Sequence, residues 1–232
     1  MAKNKISIDF PISGEWRILR PPGHHPFAFD FVKMDDDKKR YSRKNKFIYY
    51  VSTISSNEYY SWNQNIYSPI DGKVIQIGTG IEDRLKTNIW NTINIWYNAT
   101  YRFKPEEKNG RLDIRTNTGN YLMIQAKEGY TVLLAHLMNN SINVSLGQSL
   151  HVGDIVGKVG NSGNSTMPHL HINIFDQIEN PLKSKVLPFV FSEYEELQSN
   201  GIWKKSTFSV PKLKAHIIAK NCGINTVGHH NV

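Results

Sequence analysis

The stretch GNSGNSTMPHLHINIFD, residues 160–176, carries two histidines with one residue between them, directly behind a glycine-rich turn. Side chains two positions apart on a strand share a face, so His169 and His171 come together while Leu170 and Ile172 turn toward a core. Imidazoles ~7 Å apart are too distant for one simple contact but near enough to share a metal site, one binding the ion and the other beside its water or the substrate. The bland alternative is a pair of surface histidines on an edge strand. His136 closes the apolar run YTVLLAHL (130–137), either as a satisfied core histidine or as a site residue. Upstream, RPPGHHPFAFDFV sets His24 and His25 shortly before Asp30. A carboxylate inside the strand-like FAFDF must be solvated, paired or bound to a metal; the exposed face of a strand would also accommodate it.

His-x-His with a distant His-and-Asp pair suits Zn²⁺. Catalytic zinc takes three protein ligands and keeps one position for water. Two neutral imidazoles and one carboxylate leave the ion with a net positive charge, a Lewis acid able to draw the pKa of bound water toward ~7 and to polarise a carbonyl. Two further histidines nearby are suited to accept the water's proton or to stabilise an oxyanion. Gly160, Ser162, Gly163 and Ser165 form the turn that feeds the His-x-His strand. Glycine there permits positive φ and close approach of a bound molecule to backbone, or serves an ordinary tight connection. The C-terminal His229 and His230 read as a solvent-exposed tail rather than a second metal site.

The elements that must position these residues read as short strands separated by Gly, Pro, Asn and Asp. Residues 27–32, 46–54, 73–78, 120–126, 130–137, 155–160 and 169–175 are rich in β-branched and aromatic residues. This spacing predicts an all-β sandwich or barrel. YSPIDGKVIQIG and HVGDIVGKVG each place a turn before a Gly-Lys-Val strand, a hint of internal duplication. Within 81–103, Leu85, Ile89, Ile93 and Trp96 lie at helical spacing while Ile93, Ile95, Tyr97 and Ala99 alternate. A helix is expected over the first half, followed by a loop at RFKPEEKNGR. The segment from residue 204 lacks periodicity and reads as a peripheral extension of the chain.

Composition sets outer limits. At 232 residues with 39% hydrophobic and 21% charged, the chain is long enough for one sizeable core. No run approaches the ~20 apolar residues of a membrane helix, so no membrane segment is expected. The start, MAKNKISIDFPISGEW, has no apolar stretch behind its basic residues and does not read as a signal peptide. The single cysteine, Cys222, excludes an intramolecular disulfide and a cysteine zinc cage, so any metal falls to His, Asp or Glu. The net charge of +8 suits an anionic partner such as nucleic acid, acidic lipid or acidic wall polymer, or is simply a solvated surface. No nucleic-acid motif accompanies it, and none is expected to bind.

The stretches HHPFAFDF, YSPIDGKVIQIG and GNYLMIQAKEGYTVLLAHLMNNSINVSLGQSLHVGDIVGKVGNSGNSTMPHLHINIFD, in that order, resemble the lysostaphin-type (LytM-like) zinc metallopeptidases, which cut peptide bonds in bacterial peptidoglycan. The resemblance is densest at residues 67–78 and 119–176. It implies an all-β, antiparallel sandwich or barrel-like fold, a duplicated hybrid motif with one inserted helical segment, its groove holding a metal at the floor. The implied domain is residues 1–203, with a core of about 10–190, an insertion at about 81–118 and a C-terminal extension at 204–232. Carried over by position, the ligands of one zinc ion would be a histidine of GHH, Asp30 and His171, and the catalytic pair His136 and His169. The implied partner is a peptidoglycan peptide, the implied location extracytoplasmic. The spacing departs from the family's usual His-x-x-x-Asp: five residues separate His24 from Asp30 and four separate His25 from it. The chain must therefore bend, and Pro26 with the preceding PPG supports a bend. Strand parity with Asp30 favours His24, with His25 the alternative. Rival readings are a non-catalytic relative that binds wall peptides or regulates another hydrolase, and a sugar-phosphotransfer carrier with a phosphate-accepting histidine. A biotin- or lipoyl-carrier reading of DGKV is weaker, because Lys73 lacks flanking methionines.

Overall fold

The computed structural model describes residues 5–21, 24–98, 101, 106–108, 111–176, 184–221 and 223. In chain order the elements are β1 (Ile6–Ile8), β2 (Gly14–Leu19), β3 (Phe29–Val32), α1 (Lys46–Val51), β4 (Ile54–Ser55), β5 (Asn65–Tyr67), β6 (Gly72–Gly78), β7 (Lys86–Thr87), α2 (Ile89–Tyr97), β8 (Glu106–Lys108), β9 (Arg111–Asp113), α3 (Arg115–Thr118), β10 (Asn120–Gln125), β11 (Thr131–Leu137), β12 (Ser149–Leu150), β13 (Ile155–Lys158), β14 (Leu170–Phe175), β15 (Phe189–Leu197), β16 (Trp203–Ser209) and β17 (His216–Ala219). One large sheet runs β1-β15-β17-β2-β3-β14-β11-β10-β6-β12, with β16 on β15. Its pairs are antiparallel except β1 with β15. Among the described residues the sheet does not close into a barrel. The ribbon β5–β13 packs Ile66 and Val156 into the same core as the large sheet, so the fold is all-β and layered. No helix of the described residues is long and apolar enough to cross a membrane.

Alternation fixes which face each strand shows. In β14, Leu170, Ile172 and Ile174 are fully buried in the main core with Phe29 and Phe31 of β3 and Val132 and Leu134 of β11. Each buried aliphatic side chain contributes roughly 1.5–3 kcal/mol, so a one-residue slip that turned three of them outward would be prohibitive. His169, His171 and Asp30 are thereby held on the other face. That face carries a smaller cluster of Ile114, Tyr121, Met123, Leu133 and Ala135.

Four local expectations are corrected. Residues 46–54 are not one strand: Asn45 Oδ1 accepts the Phe47 N–H at 2.9 Å and starts α1, and only Ile54–Ser55 is extended. The helix within 81–103 straddles its middle, Ile89–Tyr97, rather than filling its first half, because Asn88 caps Asn91 N–H at 2.8 Å and the preceding residues are held in extended contacts, Asp83 bridging to Ser162. Part of the stretch read as a loop forms the hairpin β8–β9. The segment expected as a peripheral extension instead supplies β16 and β17. Strand β17 is inserted between β15 and β2, with Ile217 fully buried. Cys222 and the His229–His230 pair lie outside the described residues, as do Pro22 and Gly23 of the PPG bend.

Candidate metal centre

The register of three neighbouring strands assembles the site. His171 of β14 lies directly opposite Asp30 of β3 on one side and Ala135 of β11 on the other. Across the first pair, His171 Nδ1 is 2.8 Å from Asp30 Oδ1. His169, two residues earlier on the same face, brings Nε2 to 3.6 Å from Asp30 Oδ2. Asn173, two residues later, brings Oδ1 to 3.2 Å from His171 Nε2.

His24 arrives through a turn rather than along a strand. Ala28 N–H donates to His25 O at 2.9 Å and Phe27 N–H donates to the His25 ring at Nδ1, 3.2 Å away. The bend shortens the path enough for His24 Nε2 to come within 3.3 Å of Asp30 Oδ2. Strand parity, the argument from sequence, does not apply because β3 starts only at Phe29. His24 is nonetheless the one that reaches Asp30, while His25 is exposed and caps the turn.

His136 reaches the site by breaking the alternation of β11. Leu134 faces the main core and Ala135 the opposite side, so regular pleating would send His136 into the core. Its φ is +62°, the left-handed region, and the β10–β11 register shifts between Asn120 and Leu122. This bulge turns the ring onto the site face and returns Leu137 to the core. A non-glycine residue held there costs roughly 1–2 kcal/mol, which the surrounding bonds must offset. Asn120 Nδ2–H and Ser162 Oγ–H both donate to Leu137 O, at 3.2 and 2.8 Å. Gly160 N–H donates to His136 O at 3.0 Å. The His136 ring sits 4.6 Å from that of His169 and 6.0 Å from that of His171, centroid to centroid.

Hydrogen bonds fix the tautomers. His136 Nδ1 is 2.9 Å from Ser162 O and His169 Nδ1 is 2.8 Å from Met167 O. Carbonyls accept only, so both rings carry their proton on Nδ1 and direct a free Nε2 lone pair elsewhere. Burial, reinforced by the neighbouring imidazoles, holds His136 well below the usual histidine value, and burial lowers His169 as well. Burial alone would raise the Asp30 carboxyl. The field of His169 and the hydrogen bonds from His171 and His24 outweigh it and hold the group well below the carboxylate range. Burial opposes charge on His24 too, but the bond and charge of Asp30 win and raise its pKa.

A divalent cation fits this donor set. His24, Asp30 and His171 offer ligand atoms within 4.8 Å of one another. Zinc bonds of ~2.0–2.1 Å in tetrahedral geometry separate two ligand atoms by about 3.3 Å, the spacing of His24 Nε2 and Asp30 Oδ2. Without an ion, a proton bridges His171 Nδ1 and Asp30 Oδ1, 2.8 Å apart; a cation bound between them would take that proton's place, leaving His171 Nε2–H to Asn173 Oδ1. The site lies in a pocket of about 500 Å³, walled on another side by Ile95, Trp96, Asn117, Thr118 and Asn164.

Sequence reasoning missed several supporting residues. Asn173 was legible as the next member of the alternation HLHIN. Asp83 was not: from the inserted segment it accepts Asn139 N–H at 2.7 Å and Asn161 N–H at 2.6 Å, tying together the two loops that flank His136. Gly163, at φ +68°, does adopt the left-handed conformation, but the backbone it meets is that of Gly119, and Gly160 packs on Met138. Both close approaches are therefore within the chain rather than to a substrate.

The model of peptidase family M23 matches residues 107–183, a span that holds His136, His169 and His171. Solved structures similar to this chain include a zinc-containing peptidase from Vibrio cholerae, 18% identical over 78% of this chain and 39% of that one, at a TM-score of 0.42. The catalytic domain of lysostaphin from Staphylococcus simulans is 14% identical over 75% of this chain and 88% of that domain, at a TM-score of 0.39. A peptidase M23 from Pseudomonas aeruginosa is 20% identical over 75% of this chain and 47% of its own, at 0.40. This chain thus spans less than half the length of the Vibrio and Pseudomonas proteins. The resemblance read from its motifs is to the lysostaphin-type peptidases of family M23.

Proposed function

We propose that the protein is a zinc-dependent endopeptidase that hydrolyses peptide bonds in peptidoglycan cross-links or stem peptides. The observation that carries this reading is the convergence of His24, Asp30 and His171 within ligand distance of one another, with His136 and His169 facing the same pocket. His24, Asp30 and His171 would hold one Zn²⁺, which when bound supplies a Lewis acid that acidifies water and polarises the scissile carbonyl. The remaining work falls to the chain. His169 and His136 are neutral, with Nε2 free to take a proton. Either ring, once protonated, becomes a donor able to stabilise the oxyanion or return the proton to the departing amine. Low solvent exposure of both rings strengthens those interactions.

The non-catalytic alternative drew its support from the irregular spacing before Asp30; the turn at residues 25–28, which brings His24 to Asp30 despite that spacing, favours the catalytic reading. The test is metal content alongside turnover. The wild-type chain should hold one zinc per molecule and release new amino termini from purified peptidoglycan. His171→Ala should lose both while keeping its circular dichroism. Stoichiometric zinc without cleavage would establish the binding-only relative instead.

A further inference from the structure

The segment from Asn88 to Asn98 reads NIWNTINIWYN: two tryptophans, a tyrosine, four asparagines, a threonine and no charged residue, in a chain of net charge +8. It forms α2, anchored to the body by Ile95, 5% exposed, and by the Tyr49–Thr92 hydroxyl contact. Its aromatic residues and Ile93 stay largely in solvent. Trp90 is 71% exposed, Trp96 55% and Ile93 50%, and the Tyr97 ring sits 5.3 Å from that of exposed Tyr101. Large exposed aromatic area of this kind marks a binding surface. Trp96 joins this surface to the candidate active site, since with the buried Ile95 it lines the same pocket as His24, Asp30 and His171.

Resting on the peptidase reading above, we propose that α2 is a carbohydrate-binding wall of the cleft that seats the glycan strand beside the peptide to be cut. Flat, rigid aromatic rings accept the C–H faces of pyranose sugars, and amide side chains pair with hydroxyl and acetamido groups. Asn94 on α2 and, across the pocket, the mutually bonded amides of Asn117 and Asn164 offer that polar half through their remaining donors and acceptors, with no charge. A membrane-binding helix would instead set a lysine- and arginine-rich polar face beside its aromatic residues. Residues 88–98 contain neither.

The experiment uses the full chain and glycan strands stripped of their stem peptides by an amidase, with cross-linked peptidoglycan and a short sugar-free stem peptide as parallel substrates. The wild-type chain should co-sediment with the stripped glycan. A Trp90→Ala/Tyr97→Ala double variant should bind it about tenfold more weakly, and Trp90→Phe should retain most of the affinity. The double variant's loss of kcat/KM on cross-linked peptidoglycan should exceed its loss on the short peptide by a similar factor. Glycan binding that persists when zinc is chelated and cleavage is absent supports the wall and isolates any failure to the peptidase reading. The proposal is overturned if wild type ignores the stripped glycan, or if both substrates suffer equally in the double variant. It is also overturned if the aromatic face binds phosphatidylglycerol vesicles rather than glycan, or drives self-association that the double variant abolishes.

Discussion

Replacing His24 and replacing its neighbour His25 should have different consequences, though the two differ by one position. His24 contacts Asp30, so His24→Ala removes a proposed ligand and should abolish zinc retention through dialysis. His25 caps a turn from an exposed position. His25→Ala should keep its zinc and lose about 1 kcal/mol of stability, read as a small fall in urea midpoint. Equal zinc loss in both variants would contradict the assignment. Asn173 offers a subtler case at the same scale. Its Oδ1 lies 3.2 Å from His171 Nε2, where it would accept the Nε2–H of a ring bound to zinc through Nδ1. Asn173→Ala should weaken zinc binding by roughly 10–100-fold without unfolding the chain, as measured by competition with a chromogenic chelator. An unchanged affinity would mean that the packing of β14 alone orients the ring.

Among the elements, the inserted segment does more than decorate the sheet. Asp83 clamps the two loops on either side of His136 through two backbone N–H groups, and burial raises its carboxyl above the ordinary value. Asp83→Ala leaves both donors without that acceptor. The expected result is a loss of about 1–3 kcal/mol in urea unfolding, with kcat on peptidoglycan falling on the order of ten- to a hundredfold while KM changes little. A fall confined to KM would place Asp83 in substrate binding instead. The same elements explain what the sequence disclosed. His169, His171 and Asp30 were legible because β3 and β14 are regular strands in which parity alone assigns a face. The facing of His136 was not, because it depends on a bulge set by β10 and by the loop at Ser162. The helical state of KFIYYV and the incorporation of β17 were equally hidden. The first turns on one asparagine cap, and the second on a pairing with β2 some two hundred residues away, neither of which leaves a periodic signal.

For the molecule as a whole, the buried imidazoles should make the zinc-free protein sensitive to mild acid. His136 and His169 have folded pKa values below their ordinary 6.5. Between 6.5 and those lower values the unfolded chain binds more protons than the folded one, so stability falls as pH falls through that window. His216, lowered by burial and by Arg17, acts in the same direction. His24 acts oppositely, because its raised pKa contributes stability at acid pH that disappears as pH rises through the folded value. Asp30 adds nothing in this range, since its contribution is lost only below the ordinary carboxylate value of 3.8. Asp83, whose carboxyl is raised by burial, sides with His24 as the carboxylate range nears, while the three lowered histidines, two of them deeply buried, act together in the neutral range. In the presence of chelator, the urea midpoint should therefore decline from pH 7 toward pH 5, before the carboxylates titrate. His136→Asn removes one of those imidazoles while keeping a side chain tolerant of the left-handed backbone at this position. Its midpoint should decline less steeply over the same range. A wild-type midpoint that held constant or rose toward pH 5 would mean that His24 dominates the proton balance, and that the neutral state assigned to the buried pair is wrong.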